Sequence, residues 1–180
     1  MKHICIFCSA SDIDEKYVRP SVAFTKLLVA NKYDLVWGGS NTGLMKQIAH
    51  TAKMGGSRVI GISVVIFKDV AKNDADEMII TKDLGERKAM MLARSDAFVG
   101  LPGGIGTLDE ITEILELKKN HIHDKPIVIL NIDGFYDSFE QQLTRMSREG
   151  FIHRPLSQLI HFTKTPEETM AYLQSYNGST

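Results

Sequence analysis

Short apolar segments alternate along the chain with longer stretches in which apolar residues recur at helical spacing. The apolar segments, which are rich in β-branched residues, lie at 4–8, 35–37, 58–63, 78–81, 97–101, 127–131 and 159–162. The stretches with helical spacing lie at about 15–31, 43–54, 84–94, 108–120, 135–149 and 166–175. Strands and helices that alternate in this way form βαβ units. The pattern therefore predicts a single α/β domain over residues 1–180, with a doubly wound parallel sheet of about seven strands and helices on both faces.

The charge balance bears on which partners this domain can bind. The chain has 180 residues, of which 43% are hydrophobic and 24% charged, a balance typical of a globular protein with one full core. Its 21 lysine and arginine residues nearly equal its 22 aspartate and glutamate residues, so the formal charge is −1. No basic field is available for a polyanion, and we expect no nucleic-acid partner. A small anion would have to be bound locally, by backbone amides and a few placed cations.

Neither the N-terminus nor the cysteines and histidines indicate a membrane, redox or metal function. The first apolar run is too short for a signal-peptide core, and no segment approaches the roughly 18 apolar residues of a membrane span, so we expect a cytoplasmic protein. Cys5 and Cys8 have CxxC spacing, but side chains three apart on a strand point to opposite faces, so we expect buried, reduced thiols. The six histidines show no metal-ligand spacing. We therefore predict no metal and no other cofactor.

Two glycine-rich segments come where a predicted strand gives way to a helix, WGGSNTGLM at 37–45 and LPGGIGTLDE at 101–110. Ligands of parallel sheets bind beyond the carboxyl ends of the strands, and glycine lets backbone amides approach an anion there. Either turn alone could be only a tight connection, but two at one edge of a sheet favour a small phosphorylated ligand. The candidate substrate-binding residues of these turns are Gly39, Gly43, Gly103, Gly104, Ile105, Gly106 and Thr107.

The spacing of the glycines narrows the kind of phosphate ligand. The dinucleotide fingerprint GxGxxG is not met, because Asp109 stands where its third glycine belongs. The Walker pattern is not met either, because Leu44 and Met45 follow Gly43 in place of lysine and serine or threonine. Neither a nicotinamide dinucleotide nor a nucleoside triphosphate is therefore favoured.

The run from Pro102 to Glu110 reads PGGxGTxxE without a mismatch, and it resembles the signature of the LOG family, Rossmann-like phosphoribohydrolases that release cytokinin bases from their nucleotides. The resemblance extends along most of the chain, through the segments 4–9, 38–45, 86–88, 125–131, 134–137 and 149–152. It implies hydrolysis of the N-glycosidic bond of a purine nucleoside 5'-monophosphate. It also implies a homodimer or larger assembly with the pocket near a subunit contact.

The same resemblance implies roles for three charged side chains. Glu110 would act at the ribose, where a carboxylate stabilises an oxocarbenium-like sugar or orients the attacking water. Arg87 would be the second catalytic group, and Lys88 an accessory substrate contact. Departures from the family pattern at Ser40, Lys46, 64–65, 84–85 and 116–119 leave the base open, whether of the cytokinin type or adenine.

Simpler interpretations of these residues stay open at the level of sequence. Thr107-x-x-Glu110 at a helix start fits a capping box, in which each side chain satisfies a backbone donor of the other. Asp83 and Glu86 could neutralise the two cations as a solvated helix face, and Asp109 is expected to be a helix-dipole or surface acid. A nucleotide-sensing or carrier module without catalysis is the alternative function.

Overall fold

A computed structural model describes residues 1–71 and 74–176, and its strands form one sheet. They are β1 (His3–Phe7), β2 (Asp34–Trp37), β3 (Val59–Val64), β4 (Glu77–Thr81), β5 (Ala97–Gly100), β6 (Ile127–Leu130) and β7 (His161–Thr163). The order across the sheet is β4-β3-β2-β1-β5-β6-β7, and every neighbouring pair is parallel. The predicted doubly wound parallel sheet is confirmed.

Seven α-helices connect or follow these strands within the described residues. They are α1 (Glu15–Ala30), α2 (Gly43–Met54), α3 (Leu84–Ala93), α4 (Ile105–Lys119), α5 (Asp137–Arg148), α6 (Leu156–Leu159) and α7 (Pro166–Ser175). Two short 3-10 helices lie at Val65–Val70 and Ile132–Gly134. None of the described helices is long and apolar enough to cross a membrane.

Two boundaries differ from the prediction for local reasons. The fourth helix begins at Ile105 rather than near 108, because Gly104 adopts an extended conformation and takes the N-cap position. Gly106, which the sequence suggested as loop, therefore belongs to the first turn of the helix. The last strand begins at His161 rather than 159, because the one-turn helix α6 occupies Leu156–Leu159 after Pro155.

The core consists of two apolar clusters, one on each face of the sheet. Helices α1, α2 and α7 cover one face, whereas α3 to α6 cover the other. Alternation along the first strand divides the side chains between them, so Ile4 and Cys8 join one cluster and Cys5 and Phe7 the other. The two thiols are buried and free, on opposite faces, as predicted.

The order of the strands reverses between β1 and β5. From β1 the chain proceeds outward through β2, β3 and β4, then returns to β5 on the other side of β1. The loops that leave the carboxyl ends of these two strands diverge, and such a switch point is where doubly wound sheets form a ligand crevice.

Candidate active site

A cleft of about 430 Å³ opens at this edge of the sheet. Its walls come from the segment after β1, the glycine turn after β2, the end of β3, and the starts of α3 and α4. The lining residues are Cys8, Ser9, Ala10, Ser11, Gly38, Ser40, Thr42, Met45, Ser63, Phe67, Leu84, Arg87, Lys88, Gly104, Gly106, Thr107, Asp109 and Glu110. The cleft thus brings together segments from four βα connections.

An ion pair between α3 and α4 lies on the wall of the cleft. Nη1 of Arg87 donates to Oε1 of Glu110 at 2.5 Å, and Nε of Arg87 donates to the carbonyl oxygen of Ile62 at 2.8 Å. The two side chains are only 9% and 6% exposed. The guanidinium is therefore held between the end of β3 and the first turns of α4.

Burial raises the pKa of the Glu110 carboxyl above its usual value, although the charge and the hydrogen bond of Arg87 oppose this shift. A carboxylate in such a place is poorly solvated, so its charge acts strongly on a group that develops positive charge nearby. The hydrogen bond from Arg87 fixes the orientation of the Glu110 carboxylate. The pair is thus chemically suited to stabilising a cationic transition state.

The structure contradicts the capping-box interpretation of Glu110. Because Gly104 is the N-cap, Thr107 is the third residue of the helix rather than its cap, and no side-chain capping bond forms. Thr107 instead packs against Gly103, where an added Cβ would lie 2.1 Å from its Oγ1. Glu110 is free of any capping role and points to Arg87.

The solvated-face interpretation of Arg87 and Lys88 is also wrong. Asp83 accepts a hydrogen bond from the N–H of Glu86 as the N-cap of α3, and Glu86 accepts from the N–H of Lys82. The anionic partners of both cations come from the neighbouring helix instead.

Lys88 forms the second link between the two helices. Its Nζ lies 2.9 Å from Oδ2 of Asp109 and also contacts the carboxylate of Glu113. The Asp109 side chain is 53% exposed, but it lines the cleft and pairs with a cation, which is more than the surface role expected for it.

The glycines of the first turn make room for neighbouring groups. Gly39 and Gly43 have φ of +80° and +55°, and a Cβ on Gly43 would lie 2.3 Å from the carbonyl oxygen of Ser11. A Cβ on Gly38, which was part of the resembling turn but not among the candidate site residues, would lie 2.5 Å from Nη2 of Arg87.

The starts of α2 and α4 differ in their free backbone donors. At α2, the N–H of Leu44 donates to the carbonyl of Ser11 and the N–H of Met45 to that of Ser9. At α4, no group among residues 1–71 and 74–176 accepts a hydrogen bond from the N–H groups of Ile105, Gly106 and Thr107. Within the described residues, one of the first three N–H groups of α2, that of Gly43, has no acceptor, against all three at α4, so α4 is the more open anion-binding end.

The candidate residues thus divide into three groups. Those that line the cleft are Arg87, Lys88, Gly104, Gly106, Thr107 and Glu110. Those that shape the backbone behind it are Gly39, Gly43 and Gly103. Ile105 directs its side chain to solvent, with 87% exposed, so only its backbone can serve the cleft.

Known proteins match this chain over nearly its whole length. A family model described as "Possible lysine decarboxylase" matches residues 45–173. The cytokinin riboside 5'-monophosphate phosphoribohydrolase LOG of Oryza sativa subsp. japonica is 36% identical over 178 residues, which cover 97% of this chain and 74% of the relative. The chain belongs to the LOG family. A second relative with the same enzyme name, LOG3 of Arabidopsis thaliana, is 35% identical over 97% of this chain and 83% of its own length.

Solved structures that are less similar in sequence than these relatives share the fold. The molybdenum cofactor binding protein of Rippkaea orientalis has a TM-score of 0.74 at 19% identity, over 97% of this chain and 96% of that one. The Moco carrier protein of Chlamydomonas reinhardtii has a TM-score of 0.72 at 21% identity, over 96% and 95%. At such identities the likeness supports the fold and carries no function over to a LOG family member.

Proposed function

We propose that this LOG family chain hydrolyses the N-glycosidic bond of purine nucleoside 5'-monophosphates and gives the free base and ribose 5-phosphate. The observation that carries the proposal is the buried pair of Arg87 and Glu110 on the wall of the cleft, beside the open start of α4. Two relatives named cytokinin riboside 5'-monophosphate phosphoribohydrolase, which match nearly the whole chain, support the proposal.

The substrate phosphate binds at the start of α4. The N–H groups of Ile105, Gly106 and Thr107 supply hydrogen bonds, and the helix dipole adds to them. Lys88 of α3 lines the same cleft and adds positive charge at its rim. This arrangement favours a monophosphate over its nucleoside, because the phosphate alone reaches these donors.

Glu110 acts at the ribose. As the bond to the base breaks, positive charge develops on the sugar, and a poorly solvated carboxylate stabilises it or orients the attacking water. Arg87 holds that carboxylate in place, and its charge opposes the rise in the pKa of Glu110 that burial causes. Water supplies the hydroxyl that ends on the anomeric carbon, while the base leaves with a proton. No step needs a metal or a nicotinamide.

A panel of 5'-monophosphates and the matching nucleosides tests the proposal. The free base and ribose 5-phosphate are measured for adenine and for N6-substituted adenines, with and without a chelator. We expect release from the monophosphates and a marked loss with the nucleosides. Equal rates on AMP and adenosine, or abolition by the chelator, would remove this mechanism. Binding of AMP without release of base would favour a sensing module instead.

We further propose that the chain works in the cytoplasm as one nucleotide-binding unit and as a homodimer or larger assembly. The apolar residues Ile111, Ile114 and Leu115 of α4 cannot form that contact, because they belong to the core. Exposed apolar side chains near the cleft support a contact instead, among them Ile66, Phe67, Leu84 and Ile105. Sedimentation that gives a monomer across working concentrations would contradict the assembly.

A further inference from the structure

The segment Gly134-Phe135-Tyr136-Asp137 follows β6, and its tyrosine reaches across to the second glycine turn. Tyr136 is only 2% exposed, whereas Phe135 beside it is 42% exposed. The Tyr136 hydroxyl donates to the carbonyl oxygen of Leu101 at 2.8 Å. The backbone of Gly103 lies near the same hydroxyl and acts to lower its pKa, against the larger effect of burial. The hydroxyl thus bonds one end of the turn around Pro102 and lies close to the other.

The other side of this turn is held by β1. The N–H of Leu101 donates to the carbonyl of Phe7 at 2.9 Å, and the N–H of Ser9 donates to the carbonyl of Pro102 at 3.2 Å. These bonds fix the turn to the centre of the sheet. They do not use the carbonyl oxygen of Leu101, which accepts from Tyr136 instead. The turn runs directly into Gly104, the N-cap of α4.

Tyr136 is itself fixed by its surroundings. Its N–H donates to Oδ1 of Asn131 at 2.7 Å, and Nδ2 of that asparagine donates to Oδ1 of Asp137 at 2.7 Å. Its ring also makes an edge contact with Phe139, with centroids 6.3 Å apart. The hydroxyl therefore has a defined position before any ligand binds, which is what a supporting group for a binding turn requires.

We propose that Tyr136 is a positioning residue that holds the Leu101–Gly103 turn, and so sets the direction of the open N–H groups at the start of α4. The inference rests on the proposed function, since it takes those N–H groups as the site of the substrate phosphate. The phosphate is remote from the bond that breaks. Contacts to the phosphate are the same in the ground state and the transition state, so the loss of such a contact raises KM and leaves kcat unchanged.

The test is Tyr136→Phe, which keeps the ring and removes the hydroxyl. We expect KM for the best 5'-monophosphate to rise about tenfold while kcat stays within about threefold of the wild type. Tyr176→Phe is the matched control, because that hydroxyl also donates to a backbone carbonyl, of Asp124 at 2.9 Å, but lies away from the cleft. Tyr176→Phe should leave both constants unchanged.

A second measurement tests the positioning without turnover. Amide hydrogen exchange of the ligand-free protein should quicken at residues 103–107 in Tyr136→Phe and stay unchanged there in Tyr176→Phe. Unchanged exchange at these residues, or an active Tyr136→Phe enzyme with wild-type KM, overturns the inference. A lower kcat at constant KM overturns it as well. If wild-type protein releases no base from any monophosphate, the proposed function fails, and the exchange result alone then decides whether Tyr136 holds the turn.

Discussion

Two neighbouring ion pairs join α3 to α4, and they differ in how far water reaches them. Arg87 and Glu110 are 9% and 6% exposed, whereas Lys88 meets Asp109 and Glu113, whose side chains are 53% and 34% exposed. Successive residues of a helix point about 100° apart, so one step along each helix separates the inner pair from the outer one. The same two helices therefore place one pair in the cleft wall and the other at its rim.

The difference shows in the protonation equilibria. Burial raises the pKa of Glu110 despite its cation, so for this carboxyl the effect of desolvation outweighs the effect of Arg87. Partial burial acts against the charged form of Lys88 too, but the carboxylates of Glu113 and Asp109 raise its pKa. Buried ion pairs add little stability over apolar residues of the same size, so the position of the inner pair in a cleft wall supports the proposed chemical role.

Removing one member of the inner pair should have the largest effect. Arg87→Ala leaves the Glu110 carboxylate buried without its cation, and we expect the free energy of unfolding to fall by about 3–5 kcal/mol at neutral pH. Urea unfolding measures the change. The double variant Arg87→Met/Glu110→Leu removes both charges and should recover most of the stability without any activity. A single variant as stable as the wild type would show that water already solvates this pair.

The charge of Glu110 should matter for turnover more than for folding. Glu110→Gln keeps a hydrogen-bond acceptor for Arg87 but loses the negative charge, so we expect turnover to fall by about two orders of magnitude or more. Release of base at saturating monophosphate measures it. Glu116→Gln is the matched control, because it makes the same exchange on an exposed turn of the same helix. A folded Glu110→Gln enzyme with near-normal release would defeat the catalytic assignment.

Most of the fold could be predicted from the sequence, and the family resemblance pointed to Arg87 and Glu110, which the structure brings together in the cleft wall. Strand and helix periodicity is set by residues that are close together in the chain, so the sequence alone contains this signal. It located the seven described strands within a few residues. The capping box failed because the pattern Thr107-x-x-Glu110 fixes a spacing but not where the helix begins. Gly104 can adopt the extended N-cap conformation, and it starts the helix three residues earlier.

The supporting residues of the site could not be found in the same way. Gly38 matters because it lies against Arg87, and Tyr136 because it reaches Leu101, and both contacts join distant parts of the chain. Such contacts exist only once the sheet has brought several βα connections to one edge. A glycine that makes room for a guanidinium has the same sequence signal as one in any tight turn.

Gly38 offers a way to disturb the inner pair without changing either of its charges. In Gly38→Ala the new Cβ would lie 2.5 Å from Nη2 of Arg87, so the guanidinium must move from its bonds to Glu110 and Ile62. We expect kcat to fall about tenfold, the scale of one weakened charge-assisted hydrogen bond. Gly85→Ala in α3 is the control, because the nearest atom there, Oδ1 of Asp83, is 3.3 Å away. Equal kcat in the two variants would mean that Arg87 tolerates the shift.

The outer pair should give the smallest effects. Lys88→Ala removes a cation at the rim, where water screens Asp109 and Glu113, so we expect a loss of about 1 kcal/mol or less in unfolding free energy. Because Lys88 lies near the start of α4, KM for the monophosphate should rise about fivefold with kcat nearly constant, and KM for the nucleoside should not change. Glu113→Gln keeps the cation and serves as the control, with both constants close to the wild type. A hundredfold loss of kcat in Lys88→Ala would erase the distinction between the two pairs and place Lys88 at the reacting bond.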